Sequence, residues 1–255
     1  MTQIFELPRA EYARAAAMFS LAEPNRTMIF STLDGKTPGQ VLVNHLIAPT
    51  ACVLKTNYYN WSFIGGAPDA AWLSAVLNHL RARDSFFLNA HPALDALVPP
   101  IVPERVSERY AFADRADDGA QTVLPEGFVL RETDAALVAR AMWQREIVLA
   151  MGSAENFLAN GLGMCITCGD EICSEAYAVF RGDGKFELGI ITAEKYRGRG
   201  FAHAACLALA RKCEAQGLAV YWSCDQKNFG SVATARKLGF TSEQPYQLLF
   251  FSKHV

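Results

Sequence analysis

What this sequence lacks narrows its function before anything in it is read. Lysines and arginines number 24 against 26 aspartates and glutamates, a net charge of −2. There is no basic field to make nucleic acid or an anionic membrane the main partner. No apolar run approaches the ~20 residues of a membrane span. The opening Met1-Thr-Gln-Ile-Phe-Glu6 has neither a basic stretch nor an apolar core, so no secretion signal is expected. Neither Gly-x-x-x-x-Gly-Lys-Ser/Thr nor Gly-x-Ser-x-Gly occurs. The first absence excludes a P-loop nucleotidase, and the second leaves a serine hydrolase without its nucleophile elbow. The seven cysteines are odd in number, which suits reduced thiols in a cytoplasm better than a disulfide framework. Cys165, Cys168 and Cys173 fall close together, but no fourth Cys or His lies near enough in sequence to complete a structural zinc site. No metal is expected.

What remains is a globular composition: 255 residues, 51% hydrophobic and 20% charged, enough for one large domain or two modest ones. One stretch concentrates the chemistry. Glu187 to Thr192 alternates as a strand, and Arg197-Gly-Arg-Gly200 is a basic, glycine-punctuated turn. A helix follows, with Ala202, Cys206, Leu209, Ala210 and Cys213 at offsets 0, 4, 7, 8 and 11, one apolar stripe. Strand, glycine turn and helix N-terminus together make an anion site. The first-turn N–H groups point outward, and the helix dipole adds roughly half a positive charge. Gly198 and Gly200 let the backbone approach a phosphate, and Arg197 and Arg199 add countercharge. A diphosphate is the expected ligand. As a dinucleotide fingerprint the turn is only partly met, because His203 stands where close helix–strand packing wants Gly or Ala. A nucleotide-dependent oxidoreductase stays an alternative on that ground.

Arg197-x-x-Gly200-x-Ala202 resembles the pyrophosphate loop of the GCN5-related N-acetyltransferases. A second block strengthens the resemblance. Ala219 to Cys224 reads as the next strand, Asp225 to Ser231 as a turn, and a further helix closes on Arg236-Lys-Leu-Gly-Phe240. Asn228 and Gly239-Phe240 are similar in spacing to that family's C-terminal signature. The resemblance implies an α/β fold with a mixed central sheet flanked by helices, acetyl-CoA as cosubstrate, and acetyl transfer to an amine. It implies that the backbone of Ile190, Ile191 and Thr192 holds the pantetheine arm. Arg197, Gly198, Arg199, Gly200, Phe201 and Ala202 would then cradle the pyrophosphate, with Asn228 and Ser231 beside it. Glu187, entering the strand, corresponds to the family's proton-relaying glutamate. One departure stands out. The family's usual general acid is a tyrosine seven residues after the Asn, and that position is Ala235. The departing thiolate must then be protonated from elsewhere or leave unaided, with Ser231, Tyr221 and Tyr246 as substitutes.

Along the rest of the chain, residues 8–22 suggest an amphipathic helix closed before Pro24, and Arg26 to Phe30 a strand. Gln40–Asn44, Thr50–Lys55 and Asn60–Gly65 read as strands, 69–83 as a helix, and Phe86–Asn89 and Arg105–Ala111 as strands. Pro99-Pro100 and Pro103 break the chain, and Asp114–Ala120 is the best linker. Beyond it come a strand at Phe128–Arg131, a helix near 135–141 capped by Asp134, and helical residues 143–158. A hairpin of Met164–Cys168 with Ile172–Phe180 follows. The first half repeats the rhythm of the second without its arginines. The expected division is therefore 1–122, a degenerate acetyltransferase-like half, and 123–255, the acetyl-CoA-binding half.

As a two-part chain it resembles a bacterial branch that includes kasugamycin 2′-N-acetyltransferases, on Tyr59–Gly66, Asn156–Gly161 and Glu187–Thr192. That resemblance implies an aminoglycoside acceptor, with Glu155, Asn156, Glu175, Tyr58 and Tyr59 as candidates to meet it. A peptide or protein amine, or a CoA-binding module without catalysis, are the alternatives. The oligomeric state is not legible.

Overall fold

Twelve strands form one continuous sheet in the computed structural model, which describes residues 3–97, 101–117 and 119–254. The expected break at Pro99-Pro100 lies outside them. The strands are β1 (Phe5–Glu6), β2 (Gly39–Val43), β3 (Ala51–Thr56), β4 (Trp61–Gly66), β5 (Phe86–Asn89) and β6 (Arg105–Arg115). They continue with β7 (Phe128–Glu132), β8 (Leu162–Cys168), β9 (Glu171–Gly182), β10 (Lys185–Thr192), β11 (Ala219–Asp225) and β12 (Phe240–Phe251). Their order across the sheet is β1-β2-β3-β4-β5-β12-β6-β11-β10-β9-β8-β7. The helices are α1 (Arg26–Leu33), α2 (Ala70–Arg81), α3 (Ala135–Val138), α4 (Gln144–Met151), α5 (Ala154–Asn160), α6 (Phe201–Glu214) and α7 (Phe229–Lys237). This is the mixed α/β sheet that the sequence resemblance implies. β6, from before the expected division, lies between β11 and β12, from after it.

Most elements form where local chemistry places them. The stripe of α6 is buried at Ala204, Ala205, Cys206, Leu209, Ala210 and Cys213, packed in one core with Phe186, Leu188 and Trp222. Asp69 and Asp134 cap α2 and α3 by accepting from the N–H of Trp72 and Leu137. The expected helix over 143–158 is divided, because Gly152 at φ +82° ends α4 and Ser153 caps α5. Residues 9–18 wind as a 3-10 helix, with Tyr12 and Ala15 as its buried positions; a spacing of three suits three residues per turn.

The strand expected over Arg26–Phe30 is instead the first part of α1. Its β-branched and aromatic content suggested a strand, but Thr27, Met28, Ile29, Ser31, Thr32 and Leu33 are all buried. Burial on nearly every side replaces the amphipathic pattern that betrays a helix, and tertiary packing overrides propensity. The Arg26 guanidinium fastens α1 to the β9–β10 turn through Asp183 at 2.6 Å. Asp114 and Arg115, expected in the linker, complete β6. Among the described residues no helix is long and apolar enough to cross a membrane.

Candidate active site

β10 and β11 run parallel but stay paired only at Lys185–Ala219, Phe186–Val220 and Glu187–Tyr221. From there β11 turns to β6, with Trp222 opposite Phe112, while β10 stays on β9 as far as Thr192–Ser174. A register shift between Glu187 and Leu188 marks the parting; a bulge bends its strand and re-aims the side chains around it. Between the diverging strands lies a cleft of about 790 Å³, with Leu188–Thr192 on one wall and Trp222–Asp225 on the other. Backbone groups on the facing edges are left to bind something other than each other.

At the far end of β10 the chain turns into α6. Gly198 and Gly200 have φ of +76° and +81°, and no heavy atom lies within 4 Å of where either would carry a β-carbon. Glycine is there for conformation, and the space above stays open to a ligand. No side chain caps α6, so its positive end faces the cleft. Arg197 lines the cleft and donates from Nε to the Thr192 carbonyl at 3.2 Å, tying the turn to the strand end. Of the residues expected at the phosphates, Gly198, Gly200, Phe201 and Ala202 line the cleft. The Phe201 ring points away into the core, 4.7 Å from the ring of Phe128, so only its backbone is available. Arg199 is not on the wall; its guanidinium sits over the Tyr196 ring at 5.5 Å. Ile190, Ile191, Thr192, Asn228 and Ser231 all line the cleft. Asn228 caps α7 by accepting from the Ser231 N–H at 3.2 Å, and Ser231 Oγ accepts from Trp222 Nε1 at 3.1 Å.

Glu187 stands at the parting itself. It lines a smaller cavity of about 130 Å³ that shares Arg109, Trp143, Leu188, Gly189 and Ser223 with the large cleft. Burial pushes its carboxyl up to about 7, against the Thr27 hydroxyl and the Arg109 charge, which favour the ionised form. Thr27 Oγ1 donates to Glu187 Oε2 at 3.0 Å. A carboxyl that titrates near neutrality suits proton transfer at ordinary pH.

Beside it the structure joins Tyr246, one of the expected substitutes, to Arg109 and Ser223, which the sequence did not announce. Arg109 Nε donates to Tyr246 Oη at 2.8 Å, and Tyr246 Oη and Ser223 Oγ are 2.6 Å apart. Ser223 lines both spaces. Burial raises the Tyr246 phenol despite the Arg109 charge. Tyr221 is spent on Asn25, whose N–H donates to its hydroxyl at 2.9 Å. Ala235 is fully buried. Ser231 lines the large cleft alone and accepts from Trp222, whereas Ser223 lines both spaces, with Tyr246 behind it.

Trp143 bounds the cavity from the entry to α4. Its N–H donates to Glu175 Oε1 at 2.7 Å, and its indole lies against Gly189, where a β-carbon would come within 2.6 Å of Cζ3. Of the residues expected to meet an acceptor, Tyr58 lines the cavity. Tyr59 donates to Glu146, which also lines it, at 3.0 Å. Asn156 is committed to the carbonyls of Lys36 and Met151, and Glu175 is fully buried. Glu155 is not among the lining residues. Arg109, Ser223, Thr27 and Trp143 went unforeseen; a charged residue inside the β6 strand was the one available signal. Among the described residues no group of three or more His, Cys, Asp or Glu is placed to hold a metal.

Comparison with known proteins gives the family. The model of the GNAT acetyltransferase family matches residues 18–249. The chain is 24% identical over 260 residues to the uncharacterized N-acetyltransferase YdfB of Bacillus subtilis (strain 168), covering 98% of this chain and 99% of that one. A GCN5-related N-acetyltransferase-like protein from Streptococcus suis 89/1591 superimposes with a TM-score of 0.72 at 23% identity, over 96% of this chain and 100% of its own. A tandem GNAT protein from the clavulanic acid biosynthesis pathway matches 99% of both chains, with a TM-score of 0.62 at 12% identity.

Proposed function

The chain belongs to the GNAT acetyltransferase family, and from that premise we propose that it moves the acetyl group of acetyl-CoA onto the amine of a small molecule. The observation that carries this reading is the parting of β10 and β11 at Glu187. It brings an open strand edge and an uncapped helix end to one cleft, and a carboxyl titrating near neutrality to the smaller cavity that shares its walls. Family membership sets aside the nucleotide-dependent oxidoreductase.

The residues present fit the cosubstrate. The turn from Arg197 to Ala202 offers backbone N–H groups and a helix dipole to a diphosphate, and Ile190 to Thr192 offer an edge to an extended amide arm. Glu187 receives the proton that the nitrogen loses as it bonds to the thioester carbonyl carbon. The C–S bond then breaks, and its electron pair stays on sulfur. Ser223, held by Tyr246 and near Arg109, donates a hydrogen bond to that developing charge. Thiols have an ordinary pKa of about 8.5, so a proton held by a carboxyl at about 7 passes to the thiolate downhill.

The division at 122/123 belongs to the same proposal. The first half repeats the strand–helix–strand unit: β4 and β5 pair in parallel with α2 between them, as β10 and β11 do with α6. But Asp69 caps α2 from its own side chain, putting a carboxylate where a phosphate would sit. Acetyl-CoA is thus bound by the second half alone. An aminoglycoside acceptor, kasugamycin acetylated at its 2′ amine, is the finer reading; Glu146, joined to Tyr59 beside the cavity, offers a partner to a cation. A cytoplasmic setting accompanies it, because all seven cysteines are free.

The test is calorimetry with acetyl-CoA, paired with thiol release across an amine panel that includes kasugamycin. Gly200→Glu places a side chain and a negative charge at a left-handed position facing the phosphates. Acetyl-CoA affinity should collapse while the circular dichroism spectrum stays native. Unchanged affinity would remove the basis of the proposal.

A further inference from the structure

Asn25 stands at the start of α1, where an asparagine ordinarily accepts from the helix's own first N–H groups. Its side chain makes no such bond. The main chain starts the helix instead, the Asn25 carbonyl accepting from Met28 at 3.0 Å and Ile29 at 3.1 Å. The amide side chain, fully buried, reaches across to other elements. Its Oδ1 accepts from Tyr221 Oη at 3.3 Å and lies 3.5 Å from Tyr246 Oη, and its Nδ2 donates to Asn89 Oδ1 at 3.3 Å. The Asn25 N–H donates to Tyr221 Oη at 2.9 Å, so one residue holds the same phenol twice. The backbone is left-handed, with φ +61° and ψ +28°, a conformation that asparagine tolerates better than most side chains do.

The phenol it holds is close to the chemistry. Tyr221 stands opposite Glu187 at the last paired position of β10 and β11. Two residues after Asn25, Thr27 donates to Glu187 Oε2. α1 has eight residues and Thr27 lies in its first turn, where a helix frays unless something outside holds it. Two anchors do. Arg26 ties the turn to Asp183, at the entry to β10, and Asn25 ties it to the neighbouring strand β11. A hydrogen bond weakens steeply once its donor swings out of line, so the Thr27 bond depends on where that turn is held. Glu187 is also faced by Arg109 from β6, Tyr58 from the β3–β4 turn and Tyr221 from β11. Tyr177 from β9 and Glu146 from α4 line the same cavity.

We propose that Asn25 is a positioning residue for the proton transfer: by holding the first turn of α1 to Tyr221, it sets the Thr27 hydroxyl against Glu187. This rests on the reading of Glu187 as the base and adds the residue that places its hydrogen-bond donor.

The experiment follows the Glu187 carboxyl by carbon-13 NMR titration of the full chain, its signal assigned by its loss in Glu187→Gln. It compares the wild type, Asn25→Gly, Thr27→Val and the double variant. Glycine keeps the left-handed backbone without strain, so Asn25→Gly removes the side chain alone. It should raise the protonation constant of Glu187 by about threefold, against about tenfold for Thr27→Val. In the Thr27→Val background the same substitution should add less than about 1.3-fold, because an effect that works through Thr27 vanishes with it. Additive changes, or an unchanged titration in an Asn25→Gly protein with a native circular dichroism spectrum, overturn the proposal. Where that variant does not fold, Tyr221→Phe removes the oxygen that Asn25 holds and should give the same Thr27-dependent change; a change independent of Thr27 overturns the proposal as well. The acid limb of kcat/KM should move with the titration. If the titration moves and the limb does not, Glu187 is not the base, and that reading falls together with this one.

Discussion

On the proposed mechanism Glu187 acts ionised while the fold favours its neutral form, and the two sides of that conflict can be measured separately. Burial moves its carboxyl from an ordinary 4.5 up to about 7. The folded chain therefore favours the neutral form, and the stability this gives is fully present below about pH 4.5 and lost as pH rises through about 7. At about 1.36 kcal/mol per pKa unit the loss is about 3 kcal/mol at pH 8 and under about 1 kcal/mol at pH 5. Glu187→Gln keeps the shape and never ionises. It should be more stable than the wild type by about 2–3 kcal/mol at pH 8, roughly 5–10 °C in Tm for a chain of this size, with most of that advantage gone at pH 5. The same substitution should lower turnover by about 10²–10⁴-fold, less at high pH where the free amine is already abundant.

The wild-type kcat/KM should fall by about tenfold per pH unit below about pH 7, because the base acts ionised. Thr27→Val then separates a base from a bystander. Thr27 donates to Glu187 Oε2 at 3.0 Å from a buried position, a bond worth about 1.5–3 kcal/mol when the acceptor is charged. Its loss should carry the acid limb upward by about one unit with little change at the alkaline plateau. Thiol-release kinetics from pH 5.5 to 9 and thermal melts at pH 5 and pH 8 decide it. A Glu187→Gln protein with normal turnover, or a Thr27→Val limb that stays where it was, refutes the assignment.

Ser223→Ala removes the hydroxyl shared by the cleft and the smaller cavity and should lower kcat by about 10–100-fold with acetyl-CoA affinity unchanged, and Tyr246→Phe should do part of the same; equal loss of affinity would mark a structural role instead. Gly189→Ala puts a β-carbon within 2.6 Å of Trp143 Cζ3 and should raise the acceptor KM by about tenfold more than it weakens acetyl-CoA binding, since the displaced indole bounds the acceptor cavity. Asp69→Ala should cost about 0.5–2 kcal/mol of stability, the value of a helix cap, measured by urea denaturation. It should leave acetyl-CoA stoichiometry at one per chain, because an aspartate cap is only one of the features that the first half lacks for phosphate binding.

The second half was legible because its signals are local. A positive-φ glycine turn, a helix stripe and an Asn that caps α7 each show themselves within a few residues. Their order along the chain carried the fold. The acceptor side was not legible, because its parts come from far apart and only register brings them together. Arg109 looks like any charge on a strand until β6 is known to lie on β11. Ser223 is one alternating residue of β11 until that strand is known to leave β10 at its neighbour, Trp222. Thr27 was hidden for a different reason. A helix buried on nearly every side has no polar face to give it a period, so α1 read as a strand and its hydroxyl was never aimed at Glu187.

The topology shows what residues 1–122 contribute around β10 and β11. Two parallel strands that part company leave their facing edges open, so each is held from its outer side. Here β9 occupies one side of β10, and β6 takes β11 from Trp222 onward, at the residue after its last pairing with β10. β12 closes behind β6 along almost its whole length and continues onto β5. The strand that holds β11 on the side away from β10 is thus one from the first 122 residues, and it also delivers Arg109. α1 delivers Thr27, and the β3–β4 region delivers Tyr58 and Trp61. β6 pairs with β11 from Trp222 onward, Thr27 and Arg109 favour the ionised form of a Glu187 whose burial favours the neutral one, and Tyr58 and Trp61 line the space in front of it.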